Sequence, residues 1–127
     1  MSTVLVVDDE AGARRTLMRL LAKEGYDTVG AGDGQEALRT LEAGGTSTPD
    51  VILLDLMMPE MDGLELLEAL QAHPQFKALP VVVLTALSDT HTVNRARQLG
   101  AKAYLVKATF SVAEMIDHVH RYATGHA

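Results

Sequence analysis

The sequence of 127 residues contains no cysteine. This absence excludes a disulfide framework and thiolate metal sites, and it fits a reducing compartment. No apolar run approaches the roughly 18–20 residues of a membrane span, and the first residues lack the features of a secretory signal. Positive charge is also scarce, since 11 Lys and Arg residues face 17 Asp and Glu residues and give a net charge of −6. We therefore expect no direct contact with nucleic acid or membrane, because phosphate binding needs clustered positive charge.

The chain length suits one compact domain, and we expect residues 1–127 to form a single soluble domain in the cytoplasm. Short apolar, β-branched runs predict five strands, and the longer stretches that follow them have helical spacing. The predicted strands are Thr3–Val7, 27–31, Val51–Leu54, Val81–Leu84 and Ala103–Val106. Capping pairs predict helix starts at Asp33 and Glu36, Asp62 and Glu65, and Ser111 and Glu114.

Most of the predicted strands are continuous apolar runs, which is typical of strands that are buried on both faces of a parallel sheet. Strands that alternate with helices predict right-handed crossovers that cover both faces of this sheet. We therefore predict an α/β fold, the flavodoxin-like doubly wound (βα)5 arrangement with strand order 2-1-3-4-5. In that order the ligand crevice lies just after Val7 and just after Leu54.

Carboxylates follow both of these strands. Asp8, Asp9 and Glu10 come after the first strand, and Asp55 comes after the third. Neighbouring strands lie about 4.8 Å apart, so side chains that leave adjacent strand ends can share one cation. Hard oxygen ligands in a small cluster suit Mg²⁺. Capping of the first helix is the alternative role for Asp8 and Asp9, but one cap explains only one aspartate.

Two further polar residues follow the remaining strands, Thr85 after the fourth and Lys107 after the fifth. Three carboxylates, one divalent cation and one ammonium have formal charges that sum to zero, so the edge can receive an anion such as a phosphoryl group. A carboxylate can itself be the nucleophile and form an acyl phosphate. Asp55 is the best candidate, because Asp8 and Asp9 are suited to the metal while Lys107 and Thr85 can reach the phosphoryl oxygens.

Four segments together resemble the receiver domain of two-component response regulators, in particular a stand-alone, chemotaxis-regulator-like receiver. They are Val4–Glu10, Pro49–Gly63, Pro80–Ala86 and Gly100–Lys107, within a match that runs from about Thr3 to Ala123. The resemblance implies a phosphoprotein of a phosphorelay and not an enzyme in the usual sense, since such a domain catalyses only its own phosphorylation and slow dephosphorylation. A receiver cut from a longer regulator is an equally open reading.

The family's pattern also implies roles for individual residues. A sensor histidine kinase or phosphotransfer protein would phosphorylate Asp55. Asp9 and Asp55 would bind Mg²⁺ with the backbone carbonyl of Met57, and Asp8 would do so through water. Further implied roles are phosphoryl contacts for Thr85 and Lys107, and a switch aromatic at Tyr104. The implied output is binding of a downstream protein target, as a monomer or a phosphorylation-dependent dimer.

The sequence departs from the family at Ala108, where a proline usually follows the lysine. We expect a trans Lys107–Ala108 peptide, because a cis bond before a residue other than proline costs about 2.5–4 kcal/mol. The competing function is an interaction module that keeps the family's fold but works without phosphorylation. We also expect Met57 and Leu87, both apolar and flanking the acceptor site, to slow acyl phosphate hydrolysis.

Two further sets of residues are not expected to take part in the chemistry of the site. The methionines Met57, Met58 and Met61 are expected to pack in the loop and core. Arg14, Arg15 and Arg19 are expected to form a basic edge of the first helix, which is either simply solvated or helps to dock the kinase.

Overall fold

The computed structural model describes residues 2–44, 48–58 and 61–124, and within them five strands alternate with five helices. The strands are β1 (Thr3–Val7), β2 (Asp27–Ala31), β3 (Val51–Leu54), β4 (Val81–Thr85) and β5 (Ala103–Val106). The helices are α1 (Ala11–Lys23), α2 (Gly34–Ala43), α3 (Gly63–Ala72), α4 (Thr90–Gln98) and α5 (Val112–Thr124). All strand pairs are parallel, in the order β2-β1-β3-β4-β5. The predicted flavodoxin-like fold is confirmed.

The sheet separates two hydrophobic cores, because successive side chains of a strand point to opposite faces. Leu5 and Val7 of β1 face one core, which α2, α3 and α4 cover. Val4 and Val6 face the other core, which α1 and α5 cover. The central strands β1, β3 and β4 are almost wholly buried, whereas the edge strands β2 and β5 are only partly so. This explains why β2 has the weakest strand pattern in the sequence.

Helix ends follow the predicted capping chemistry. Asp62 and Glu65 form a reciprocal capping box at α3, with hydrogen bonds of 2.9 and 3.1 Å. Ser111 and Glu114 exchange two bonds of 3.0 Å at the start of α5. Among the described helices, none combines the length and apolarity that a bilayer-spanning segment needs.

Candidate functional site

Polar side chains are buried at one place in the described chain, the carboxyl edge of the sheet. They are Asp8, Asp55 and Thr85, which are 2%, 7% and 0% exposed. Each lies at or just after the end of a central strand, and the hydrogen-bond ladder continues past these strands, with a bond of 2.9 Å from the Asp55 amide to the Val7 carbonyl. Burying a polar group costs free energy unless it finds a partner. The contacts between these residues therefore define the site.

The loop between β1 and α1 presents two carboxylates without using them as helix caps. Glu10 is the N-cap of α1, and its side chain accepts hydrogen bonds from the amides of Gly12 and Ala13 at 3.1 and 2.7 Å. These bonds lower the pKa of Glu10. Asp8 accepts a bond of 3.0 Å from the Glu10 amide and is buried, while Asp9 is exposed. The alternative role of Asp8 and Asp9 as caps of α1 is thus taken by Glu10.

Lys107 joins the two buried carboxylates. Its Nζ lies 3.0 Å from Asp55 Oδ2 and 3.2 Å from Asp8 Oδ2. Burial alone would lower the pKa of Lys107, but the hydrogen bonds and charges of Asp55 and Asp8 outweigh burial and raise this pKa. The described residues contain no cis peptide, so the Lys107–Ala108 bond is trans as predicted. After Lys107 the chain turns away from the carboxylates. In this turn the amides of Thr109 and Phe110 donate to the Val106 carbonyl.

The geometry fits a small divalent cation. Oxygen atoms of Asp8, Asp9 and Asp55 lie within 4.8 Å of one another. In an octahedral Mg²⁺ site with bonds of about 2.1 Å, ligand oxygens are about 3–4.2 Å apart, so small side-chain adjustments suffice. Three ionised carboxylates and the Lys107 ammonium leave a formal charge of −2, which one divalent cation balances. The amide of Met57 donates to Asp55 Oδ1 at 3.0 Å, which brings the Met57 main chain to this site.

Thr85 and Tyr104 share a link through the main chain of Leu87. The Thr85 Oγ1 accepts from the Leu87 amide at 3.5 Å, and the Tyr104 hydroxyl donates to the Leu87 carbonyl at 2.8 Å. Burial first, and then the charges of Asp89 and Asp55, raise the pKa of Tyr104. The two bonds use successive peptide units on either side of the Leu87 Cα, so a displacement of the Leu87 main chain affects both side chains.

A cleft of about 470 Å³ opens beside the carboxylates. Its lining residues are Asp9, Leu56, Met57, Met58, Asp62 and Leu87. Met58 is buried as expected, but Met57 is 51% exposed, so its expected packing role is wrong. Because Met57 directs its main chain to Asp55, its side chain is left in the open cleft.

Two residues at the site were not assigned to it from the sequence. A Cβ on Gly63 would lie 2.5 Å from the Leu56 Cα and 2.9 Å from the Asp55 carbonyl oxygen, so only glycine lets α3 approach the acceptor strand this closely. A glycine directly after the capping Asp62 was the available signal. Arg14 is half-buried, and its Nη1 donates to the Asp8 carbonyl at 2.7 Å. The expected solvated position thus holds for Arg15 and Arg19 but not for Arg14.

Fold and site together define a doubly wound α/β domain with an acidic, metal-competent edge at its topological switch point. The family model for the response regulator receiver domain matches residues 4–120. The chain therefore belongs to the response regulator receiver domain family, a family of signalling domains of two-component systems.

Individual relatives agree with this membership. The transcriptional regulatory protein PdtaR of Mycobacterium tuberculosis is 43% identical over 117 residues, which are 91% of this chain and 54% of that protein. The chain thus spans about half the length of this curated relative. A receiver domain of a signal transduction histidine kinase from Syntrophus aciditrophicus has a TM-score of 0.88 and 33% identity, covering 99% of this chain and 92% of that one. The chemotaxis protein CheY4 of Vibrio cholerae has a TM-score of 0.86 and 31% identity, with coverages of 96% and 98%.

Proposed function

We propose that this chain accepts a phosphoryl group on Asp55 from a sensor histidine kinase or phosphotransfer protein, and that the phosphorylated form changes the binding of a downstream protein. The observation that carries the proposal is the Lys107 ammonium between Asp55 and Asp8, at 3.0 and 3.2 Å. A purely structural role does not account for two buried carboxylates that share one lysine, because burying these charges is costly. We further propose that residues 1–127 act as one receiver domain in the cytoplasm, as a monomer or a phosphorylation-dependent dimer.

The transfer needs positioning and charge stabilisation more than new covalent machinery. An oxygen of Asp55 forms a bond to phosphorus as the bond from phosphorus to the donor nitrogen breaks, and the donor imidazole leaves with that electron pair. Lys107 then stabilises the phosphoryl oxygens, because its ammonium already lies beside the acceptor. Thr85 is the second contact, since its hydroxyl is buried at the same edge.

We propose Asp8, Asp9, Asp55 and the Met57 carbonyl as the groups that hold Mg²⁺ in this reaction. When bound, the ion neutralises charge on the phosphoryl group and orients it towards the acceptor. The support is the convergence of the three carboxylates within 4.8 Å. Asp9 is the exposed member and can take part without breaking an existing contact of Lys107.

The experiment that tests the acceptor uses acetyl phosphate with Mg²⁺ and measures the intact mass. We expect the parent protein to gain one phosphoryl group and Asp55→Asn to gain none, since an amide cannot form the acyl phosphate. Asp27→Asn is the matched control, an exposed aspartate on β2 that should react like the parent. A parent protein that stays unmodified while its fold is intact would instead favour an interaction module that works without phosphorylation.

The proposed switch runs through Leu87. When the Thr85 hydroxyl turns to a phosphoryl oxygen, it gives up its long contact with the Leu87 amide. The Leu87 main chain, whose carbonyl in the next peptide unit holds Tyr104, can then move. The surface of α4, β5 and α5 would then present a different face to a partner.

Beryllofluoride with Mg²⁺, which mimics the phosphoryl group, tests this coupling through the NMR signals of Tyr104. We expect a change in these signals in the parent protein and in Thr40→Ala, whose hydroxyl bonds only within α2. Thr85→Ala should lose most of the change. An equal response at Tyr104 in Thr85→Ala would contradict the switch.

A further inference from the structure

We infer that Arg14 is a positioning residue for the acidic edge, because it fixes the peptide from which the Asp9 side chain is presented to the cation. The inference deepens the proposed function and rests on it. The Nη1 atom of Arg14 donates to the carbonyl oxygen of Asp8 at 2.7 Å, a short bond from a charged donor. That carbonyl belongs to the planar peptide between Asp8 and Asp9. The bond from Arg14 to this carbonyl therefore fixes the plane of the peptide that precedes the Asp9 Cα.

The Arg14 side chain reaches this carbonyl along a path that runs past Gly30 and Gly32. A Cβ on Gly30 of β2 would lie 3.3 Å from the Arg14 Cδ and 2.9 Å from the Met18 Sδ. A Cβ on Gly32 would lie 3.5 Å from the Arg14 Nη1. The distance at Gly32 is an ordinary van der Waals contact, but with a larger side chain at Gly30 the Arg14 side chain would lose room beside β2. The path therefore accounts for the half-buried position of Arg14 on a helix whose neighbouring arginine is exposed.

The other groups of this loop are also anchored. The Asp8 amide donates to the Ala31 carbonyl at 3.1 Å, and the Glu10 amide donates to Asp8 Oδ1 at 3.0 Å. The Glu10 carbonyl accepts from the Arg14 amide at 2.9 Å as α1 begins. The bond from Arg14 supplies the remaining constraint, at the peptide between the two aspartates. Without it, the Asp8–Asp9 peptide can rotate, and Asp9 spends less time in the orientation that suits the metal.

The charge of Arg14 acts in the opposite direction, because a positive charge near the acidic loop repels a cation. Among the residues that the structure describes, no carboxylate forms an ion pair with Arg14, while Lys107 is engaged by two. Arg14 thus adds a positive charge behind the acidic loop, and on charge alone its removal would strengthen Mg²⁺ binding. Weaker binding in Arg14→Ala would therefore report the lost hydrogen bond. Its neighbour Arg15 has the same charge but is exposed, and it makes no contact with the loop among the described hydrogen bonds. Arg15 is therefore the matched control, since it removes one charge without removing the anchor.

The test measures Mg²⁺ affinity by calorimetry without any phosphodonor. Loss of a group that orients a metal ligand typically weakens metal binding about 10–100-fold, and we expect Arg14→Ala to fall in that range. Arg15→Ala should stay within about twofold of the parent, because an exposed charge is screened by salt. Arg14→Lys, which keeps the charge and one donor, should recover part of the affinity. In reaction with acetyl phosphate, Arg14→Ala should need more Mg²⁺ for half its maximal rate but should approach the parent rate at saturation.

Each outcome of this test either supports or overturns the positioning role of Arg14. Parent-like affinity in Arg14→Ala, or equal weakening by Arg14→Ala and Arg15→Ala, would overturn the inference and leave the proposed function standing. No Mg²⁺ binding by the parent protein itself would overturn the proposed function and this inference with it. Should Arg14→Ala fail to fold, Arg14→Lys against Arg15→Lys gives the same comparison with the charge kept. Equal affinity in those two variants would then overturn the positioning role.

Discussion

The two edges of the sheet contain similar residues and differ in what these residues contact. At the amino edge, Asp50 accepts the Thr3 amide at 2.7 Å, and Tyr122 donates to the Lys102 carbonyl at 3.3 Å. Asp50 and Lys102 are exposed, and among the described residues no ion pair joins them. At the carboxyl edge, Asp8 and Asp55 are buried and share Lys107. Aspartates and a lysine at a strand edge therefore make a site only where the aspartates are buried and the lysine contacts them.

At the carboxyl edge both aspartates stay close to the sheet. Only three residues separate β1 from α1, so the chain turns directly from strand to helix, and Asp8 stays close to the sheet. Asp55 likewise leaves β3 beside β1, and its amide bonds the Val7 carbonyl at 2.9 Å. At the amino edge the Asp50 carboxylate instead accepts a main-chain amide, that of Thr3 at the start of β1. A cavity of about 340 Å³ lies there too, lined by Asp50, Ala78, Pro80, Lys102 and Tyr122, but it lacks a converging set of carboxylates.

The largest expected difference between the edges is in metal binding. Asp9→Ala removes an oxygen from the proposed Mg²⁺ site and should weaken Mg²⁺ binding by about 100-fold or more while the fold stays intact. Asp50→Ala removes an aspartate from the other edge and should bind Mg²⁺ like the parent protein. Calorimetric titration of the three proteins checks this, together with circular dichroism for the fold. Unchanged affinity in Asp9→Ala would contradict the assignment of the site.

The next effect concerns the lifetime of the acyl phosphate, which we expect to last many minutes or more. Hydrolysis needs a water in line behind phosphorus, and two side chains that line the cleft, those of Met57 and Leu87, are apolar and cannot orient this water. Met57→Asn and Leu87→Glu can orient this water and should each shorten the lifetime, by at most about 10²-fold.

Loss of label from the phosphorylated protein without kinase measures this lifetime. Val112→Asn is the control, since it also replaces an exposed apolar residue, 43% exposed, but lies outside the cleft. Decay of the parent within seconds, or no acceleration in either cleft variant, would refute this role of Met57 and Leu87.

The smallest effect is in the pH dependence of stability. The pKa of Lys107 is raised in the folded protein above its ordinary value of 10.5, so its contribution is fully present below that pH and is lost as the pH rises through the folded value. Lys107→Met should therefore lose less stability than the parent as the pH rises above about 10.5. We expect a difference of about 1 kcal/mol or less, because solvent screens the partly exposed ammonium.

Urea denaturation at several pH values measures this difference. Lys102→Met, at the opposite edge, should follow the parent curve. The raised pKa of Tyr104 affects all three proteins alike, so it cancels in the comparison. Parallel curves for the parent protein and Lys107→Met would show that the lysine contacts do not contribute in solution.

The sequence by itself determined the fold and the place of the site. The apolar runs of β1, β3 and β4 have to be buried on both faces, which leaves a parallel sheet with helices on either side as the consistent arrangement. Parallel strands have their carboxyl ends at one edge, so Asp8, Asp55, Thr85 and Lys107 had to lie there together. Their individual roles in phosphorylation stay predictions.

Only the tertiary structure decided which of several equivalent residues contact the site. Arg14 and Arg15 are adjacent and identical in chemistry, yet only Arg14 lies beside Gly30 of β2 and reaches the Asp8 carbonyl. Met57 and Met58 are likewise adjacent, and the turn after β3 buries one and exposes the other. Helical and strand periodicity assigns a residue to a face, but the hydrogen bond that it makes depends on the space left by residues distant in the chain. That space is a property of the packed molecule.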